Sequence, residues 1–172
     1  MSILLIINGY AGAGKSTVAR TFAEKNNFAL ISQDDFLFNL NAFDGHKELT
    51  PEDHTVAIKN MHDCVLNYMH LNRNIVVEGA LVSISQKDPL DLRDFIKLGH
   101  TLNYQVKIVT LIADHQVCLE RQKKRHYIIP TPIDKKLHQA LSEIDQKIDN
   151  EIVIDTSKNS VANIVTQIER IV

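Results

Sequence analysis

The chain has 172 residues, 44% of them hydrophobic, with 19 lysines and arginines against 21 aspartates and glutamates and a formal net charge of −2. A chain of this length suits a single domain and buries roughly 70% of the surface it exposes when unfolded, so a core needs neither disulfides nor a structural metal. Near-average composition excludes disordered and collagen-like classes, and the charge balance gives no bulk attraction to nucleic acid or to an anionic membrane. No apolar run approaches the roughly 18 residues that span a bilayer. The opening MSILLIINGYAGAGKS lacks a basic n-region, and its apolar stretch is too short for a signal peptide. Cys64 and Cys118 carry no CxxC spacing, which points to reduced thiols and a cytoplasmic setting.

Taken in chain order, short apolar runs alternate with longer amphipathic ones. Ile3–Asn8 is a continuous Ile/Leu run closed by a glycine-rich turn, the pattern of a strand buried on both faces. A helix over Lys15–Asn26 follows the glycines, then a strand over Phe28–Ser32. Phe36–Pro51, with Asn39, Asn41, Asp44 and Gly45, is read as a loop crossing. Pro51–Leu71 places Met61, Cys64, Val65 and Tyr68 at helical spacing, and Asn74–Glu78 is a third strand. Gln86–Thr101 shows weak helical periodicity around Leu90–Leu98. Val106–Ala113 reads as a strand and Asp114–Arg125 as a helix. Ile133–Asp149 carries Leu137, Leu141, Ile144 and Ile148 on one stripe; Ile152–Asp155 is the last strand and Ser160–Val172 the last helix. Alternation of this kind predicts βαβ units and a mostly parallel sheet covered on both faces, in one domain over residues 1–172.

Gly9-Tyr10-Ala11-Gly12-Ala13-Gly14-Lys15-Ser16 fits GxxxxGK[ST], with a strand before it and a helix after it. Glycines let backbone N–H groups turn toward phosphate oxygens where a side chain would block approach. The following helix aims its first amides and positive dipole end at the same anion. Lys15 is expected to reach the β- and γ-phosphates and the Ser16 hydroxyl to ligate Mg²⁺. Gly9, Ala11, Gly12, Ala13, Gly14, Lys15, Ser16 and Thr17 are therefore the expected nucleotide contacts.

Two adjacent carboxylates, Asp34 and Asp35, close the second strand in Ile31-Ser32-Gln33-Asp34-Asp35-Phe36. Beside a phosphate loop, such a group suits removal of a proton from an attacking hydroxyl or support of Mg²⁺ through water. The alternative is that Asp34 caps a helix starting at Asp35. Glu78, followed by Gly79, ends the third strand and is a second metal-side acid; the competing reading is a solvent-facing strand-end charge. Asp114 could pass for the acid of a nucleotide site, but the helical residues behind it favour an N-cap. Arg121 and Arg125 are i,i+4 neighbours in a basic run, able to fork onto one phosphate from a short lid over about residues 121–132; a dipole-complementing helix C-terminus is the alternative. His54, His62 and His70 recur every eight residues, a step that rotates about 80° on a helix, so they share no face for a metal. His46 and His54 remain candidate polar contacts to a substrate.

GYAGAGKST, ISQDDF, IVVEGALV and LERQKKRHYIIPTP together resemble the uridine kinase-like group of P-loop kinases, which includes nicotinamide riboside kinases. IVIDTS, around Thr156, looks like the last strand and adenine-side loop of such kinases. The resemblance implies a three-layer P-loop fold with a five-stranded parallel sheet in the order 2-3-1-4-5, and transfer of the ATP γ-phosphate to a hydroxyl, usually of a nucleoside. It implies Asp34 as the catalytic carboxylate, Glu78 as the acid near Mg²⁺, and Arg121 and Arg125 as lid arginines. Asp53 and His54 match the segment that holds sugar hydroxyls, and Phe36, Phe38 and Phe43 are candidates to stack a base. The expected activity is an ATP- and Mg²⁺-dependent kinase of a small hydroxyl acceptor, in a monomer or homodimer. A nucleoside monophosphate kinase would need more cations near the acceptor than Lys47 supplies between Asp34 and Asp53. An ATPase or switch acting on a partner protein is the rival of another class. Action on nucleic acid ends is disfavoured by the net charge.

Overall fold

A computed structural model of the chain describes residues 1–39, 50–82, 90–124, 148 and 150–172. The candidates Phe43, His46, Lys47 and Arg125, the greater part of the expected lid, and all of the Ile133–Asp149 helix except Ile148 lie outside the described residues. Strand β1 (Ile3–Gly9) leads into helix α1 (Lys15–Asn26), and β2 (Ala29–Ser32) leads into α2 (Gln33–Asn39). Helix α3 (Pro51–His70), β3 (Ile75–Glu78), α4 (Leu92–Thr101), β4 (Gln105–Ile112), α5 (His115–Lys123), β5 (Glu151–Asp155) and α6 (Val161–Glu169) follow. The strands form one parallel sheet in the order β2-β3-β1-β4-β5.

The continuous apolar run of β1 has a direct cause: the strand is central and covered on both faces. Leu4 and Ile6 pack on one side with Ile58, Met61 and Val65 of α3 and Phe95 of α4. Leu5 and Ile7 pack on the other with Val18 and Phe22 of α1 and Ile164 and Ile168 of α6. Four asparagines, Asn27, Asn72, Asn103 and Asn150, sit in the left-handed region, three of them just past the ends of α1, α3 and α4. Asparagine tolerates that conformation better than other residues with a Cβ.

Two expectations change. Phe36–Asn39 belongs to α2 and not to a loop crossing, because β2 stops at Ser32 and a helix starts at once on Gln33. For the same reason Asp34 does not cap a helix starting at Asp35; both acids lie inside the first turn, where the helix dipole favours them. Asp114 does cap α5, its side chain accepting from Gln116 N at 2.8 Å.

The order β2-β3-β1-β4-β5 reverses direction at β1, and ligands of open α/β sheets bind outside the carboxyl ends of strands at such a point. Gly9, Ser32, Glu78 and Asp155 all end strands on that edge.

Candidate active site

The loop between β1 and α1 is shaped by its glycines and tied down from behind. Gly9 and Gly12 have φ of +138° and +83°, and a Cβ on either would meet backbone, Leu111 O within 2.1 Å and Cys118 O within 2.5 Å. Three successive loop carbonyls are taken by partners outside the loop. Gln122 Nε2 donates to Ala11 O at 3.1 Å, Arg121 Nη1 to Gly12 O at 3.3 Å, and Thr156 Oγ1 to Ala13 O at 2.8 Å. A loop held by its carbonyls turns its amide dipoles the other way, toward an anion. Helix α1 then opens with no side-chain cap on Gly14, whereas Thr50, Asp91, Asp114 and Ser160 cap α3, α4, α5 and α6. A Cβ on Gly14 would reach nothing nearer than Arg121 Nη1 at 3.9 Å, so the loop is open on that side. Lys15 Nζ donates to Tyr10 O at 3.0 Å and folds back along the loop.

Glu78 faces this loop from the end of β3. It is 1% exposed, which overturns the reading of a solvent-facing strand-end charge. Register places it beside Ile7 of β1 and Ser32 of β2. The Ser32 hydroxyl donates to Glu78 Oε1 at 2.5 Å, and the Ser16 hydroxyl lies close enough to the carboxylate to favour its charged form. Burial pushes the Glu78 carboxyl above its ordinary range, with the charge of Asp34 adding to the rise, while Lys15 and the two hydroxyls pull it back. One cluster therefore holds Lys15, Ser16, Ser32, Asp34 and Glu78. Asp34 is half-buried and Asp35 is exposed, which separates the two adjacent acids.

The remaining candidates are distributed as follows. Phe36 is half-buried against the core under α3 and α4. The Asp53 carboxylate is committed to the capping box of α3, accepting from Thr50 N at 3.1 Å and Thr50 Oγ1 at 2.8 Å. His54 is 2% exposed and bonded to Gln33, whose Nε2 lies 2.9 Å from His54 Nε2. Thr17 is exposed on α1. Arg121 also donates to Thr156 through Nη1 (Oγ1, 2.9 Å) and Nη2 (O, 2.8 Å), which ties α5, the loop and the end of β5 together. Ser32, Gln33, Asn8 and Gln122 escaped the sequence reading. A polar residue ending the apolar run ILLIIN was a usable signal for Asn8; the others carried none.

Fold and site together define a P-loop nucleotide-binding protein whose sheet has the strand order 2-3-1-4-5. Residues 4–145 match the AAA domain family AAA_33, and the chain belongs to that family. No curated protein is significantly similar to it. Among solved structures it is similar to a proposed kinase from Chloroflexus aurantiacus j-10-fl, with 20% identity and a TM-score of 0.69 over 98% of this chain and 97% of that one. A gluconokinase from Sinorhizobium meliloti 1021 matches with 18% identity and a TM-score of 0.64, over 96% and 88% of the two chains. Thymidylate kinase from Candida albicans matches with 16% identity and a TM-score of 0.63, over 99% and 90%. At these identities the likeness is one of fold.

Proposed function

We propose that the chain is an ATP- and Mg²⁺-dependent phosphotransferase that moves the γ-phosphate to a hydroxyl of a small molecule, with a nucleoside or nucleoside-like metabolite as acceptor. The observation that carries this reading is the cluster of Lys15, Ser16, Asp34 and the buried Glu78 at the open side of the phosphate loop. The Ser16 hydroxyl and the Asp34 and Glu78 carboxylates form an all-oxygen donor set, which suits Mg²⁺. When bound, that ion neutralises charge on the phosphate oxygens. The loop amides and the start of α1 bind the phosphates, and Lys15 swings from Tyr10 O to their β- and γ-oxygens. Arg121, already beside Gly14, adds positive charge at the transferring group, and Arg125 is assigned the same task. Asp34 orients the acceptor hydroxyl and takes its proton. Phe36 and Asp53 are assigned to the acceptor side, where α2 and α3 pack together, with the buried His54 supporting that side without touching the acceptor, and Thr156 to the nucleobase side at the end of β5. The name of the gluconokinase supports a small hydroxyl-bearing acceptor, that of the thymidylate kinase is on the side of the monophosphate alternative, and the motif resemblance to uridine kinase-like proteins supports a nucleoside as the hydroxyl acceptor.

A panel of nucleosides, nucleoside monophosphates, sugar acids and small alcohols incubated with γ-labelled ATP tests the reading. Label in a nucleoside product is the expected result. Label on monophosphates alone would move the assignment to a monophosphate kinase, and label released solely as free phosphate would move it to an ATPase. Asp34→Asn is expected to lower transfer by about 100-fold or more while ATP affinity persists, and Lys15→Ala to weaken ATP binding itself. Calorimetry with Mg·ATP separates the two.

A further inference from the structure

The turn that follows Glu78 is held by side chains in place of a strand ladder. Gly79 N donates to Ile7 O at 3.2 Å, and the next two amides go to side-chain oxygens: Ala80 N to Gln33 Oε1 at 2.8 Å and Leu81 N to Asn8 Oδ1 at 3.1 Å. Gln33 lies directly on this turn, since a Cβ on Gly79 would fall 2.6 Å from Gln33 Oε1 and 2.8 Å from Gln33 Cβ. An amide N–H can meet only an acceptor, so the contact with Ala80 fixes which end of the Gln33 carboxamide faces the turn. Its Nε2 then faces His54 Nε2 at 2.9 Å and has only protons to offer. The ring nitrogen must therefore be the acceptor, the imidazole is neutral, and its proton sits on Nδ1. Burial agrees, because desolvation lowers the His54 pKa to about 4. Nδ1 finds no partner among the described residues, so nothing there competes for the tautomer. The backbone of His54 is fixed in turn by the capping box of Thr50 and Asp53 immediately before it.

We propose that Gln33 and His54 form a strut that sets the Gly79–Leu81 turn, and through it the placement of Asp34 relative to Glu78. Both are positioning residues, touching neither nucleotide nor acceptor. Gln33 precedes Asp34 by one bond, and the amide it grips lies two residues beyond Glu78. His54 keeps the carboxamide from rotating away, which also pins α3 to the end of β2. The inference rests on the reading of Asp34 and Glu78 as the acids of phosphoryl transfer. A displacement of about 1 Å at such a pair can cost about 100-fold in rate.

Two measurements on the full chain test it. The first needs no nucleotide: long-range ¹H–¹⁵N correlation spectra report the tautomer of His54, and hydrogen exchange reports the Ala80 amide. At neutral pH His54 is expected neutral with its proton on Nδ1. His54→Leu is expected to lower Ala80 protection about tenfold or more, and His54→Gln, which keeps an acceptor near the position of Nε2, to restore it. The second measures hydrolysis of γ-labelled Mg·ATP, with water as the acceptor. His54→Leu and Gln33→Leu are expected to lower kcat about 10- to 100-fold while KM for ATP stays within about threefold, and His54→Gln to recover most of kcat. A wild-type ring that is charged, or that carries its proton on Nε2, overturns the strut without any variant. Equal Ala80 protection in wild type and His54→Leu also overturns it, as does a His54→Gln protein as impaired as His54→Leu. Absence of ATP binding and turnover in the wild type overturns the phosphotransferase reading instead, and the first measurement still decides the strut.

Discussion

Glu78 is a buried carboxylate whose neighbours only partly offset its loss of water: Lys15, Ser16 and Ser32 favour the charged form, yet burial wins and its pKa rises. Such a group stores instability at the place where the proposed phosphoryl transfer needs charge. Glu78→Gln is therefore expected to raise the stability of the nucleotide-free protein by about 1 kcal/mol and to lower turnover by about 100-fold or more. Urea unfolding and a turnover assay on the same preparation check the pair of effects. His54 makes the opposite demand, because its pKa is lowered to about 4 from 6.5. Between those values the unfolded chain binds more protons than the folded one. Stability is thus complete above about pH 6.5 and falls by about 1.4 kcal/mol per unit as pH drops toward 4, about 3 kcal/mol in all. Urea midpoints across that window should show the slope in the wild type and a flatter profile in His54→Gln; equal slopes would mean that His54 is not the group responsible. Asp34 and Glu78 were legible as acids ending apolar runs. Gln33 and His54 were not legible as a pair: a carboxamide has no charge or periodicity to mark it, and its partner lies 21 residues away until α3 packs on β2.

At the scale of elements, the five strands were legible to within a residue at each end, because buried parallel strands leave continuous apolar runs. Helix α2 was not. Seven residues give too few turns for a periodic signal, and its paired acids looked like a strand end when they are the first turn of a helix. The phosphate loop was legible from its spacing, but the roles of its glycines differ in ways the spacing hides. Gly12→Ala puts a methyl 2.5 Å from Cys118 O at a φ of +83°, where backbone cannot give way. It is expected to destabilise the fold by about 3 kcal/mol or more. Gly14→Ala has a φ of +91° but open space around the new Cβ. It is expected to cost about 1–2 kcal/mol in stability and to abolish Mg·ATP binding, because the methyl stands where loop and helix amides meet the anion. Thermal unfolding and calorimetry together separate the two glycines. A Gly14→Ala protein with normal ATP affinity would place the phosphates elsewhere.

Across the whole molecule, the site draws on strands from both sides of the central one: β2 and β3 bring Ser32 and Glu78, while β5 and α5 reach the phosphate loop from the other side through Thr156 and Arg121. Thr156 is 3% exposed, and its hydroxyl accepts from Arg121 Nη1 while donating to Ala13 O. A ligand that binds the loop should therefore stabilise the entire sheet and not a local segment. With Mg·ATP at about 100 times its Kd, linkage adds about 2.7 kcal/mol, which is about 5–10 °C in Tm for a chain of this size. Thr156→Val preserves shape and removes the hydroxyl. It leaves the Ala13 carbonyl without its donor and loosens Arg121, at an expected cost of about 1–2 kcal/mol to the nucleotide-free protein. Because the loop then loses one of its rear attachments, the Mg·ATP-induced rise in Tm is expected to shrink as well, when both proteins are compared at one nucleotide concentration. Thermal unfolding with and without Mg·ATP reads both changes at once. A Thr156→Val protein that is less stable yet keeps the full ligand-induced rise would show that the tie from β5 supports the sheet without shaping the phosphate loop.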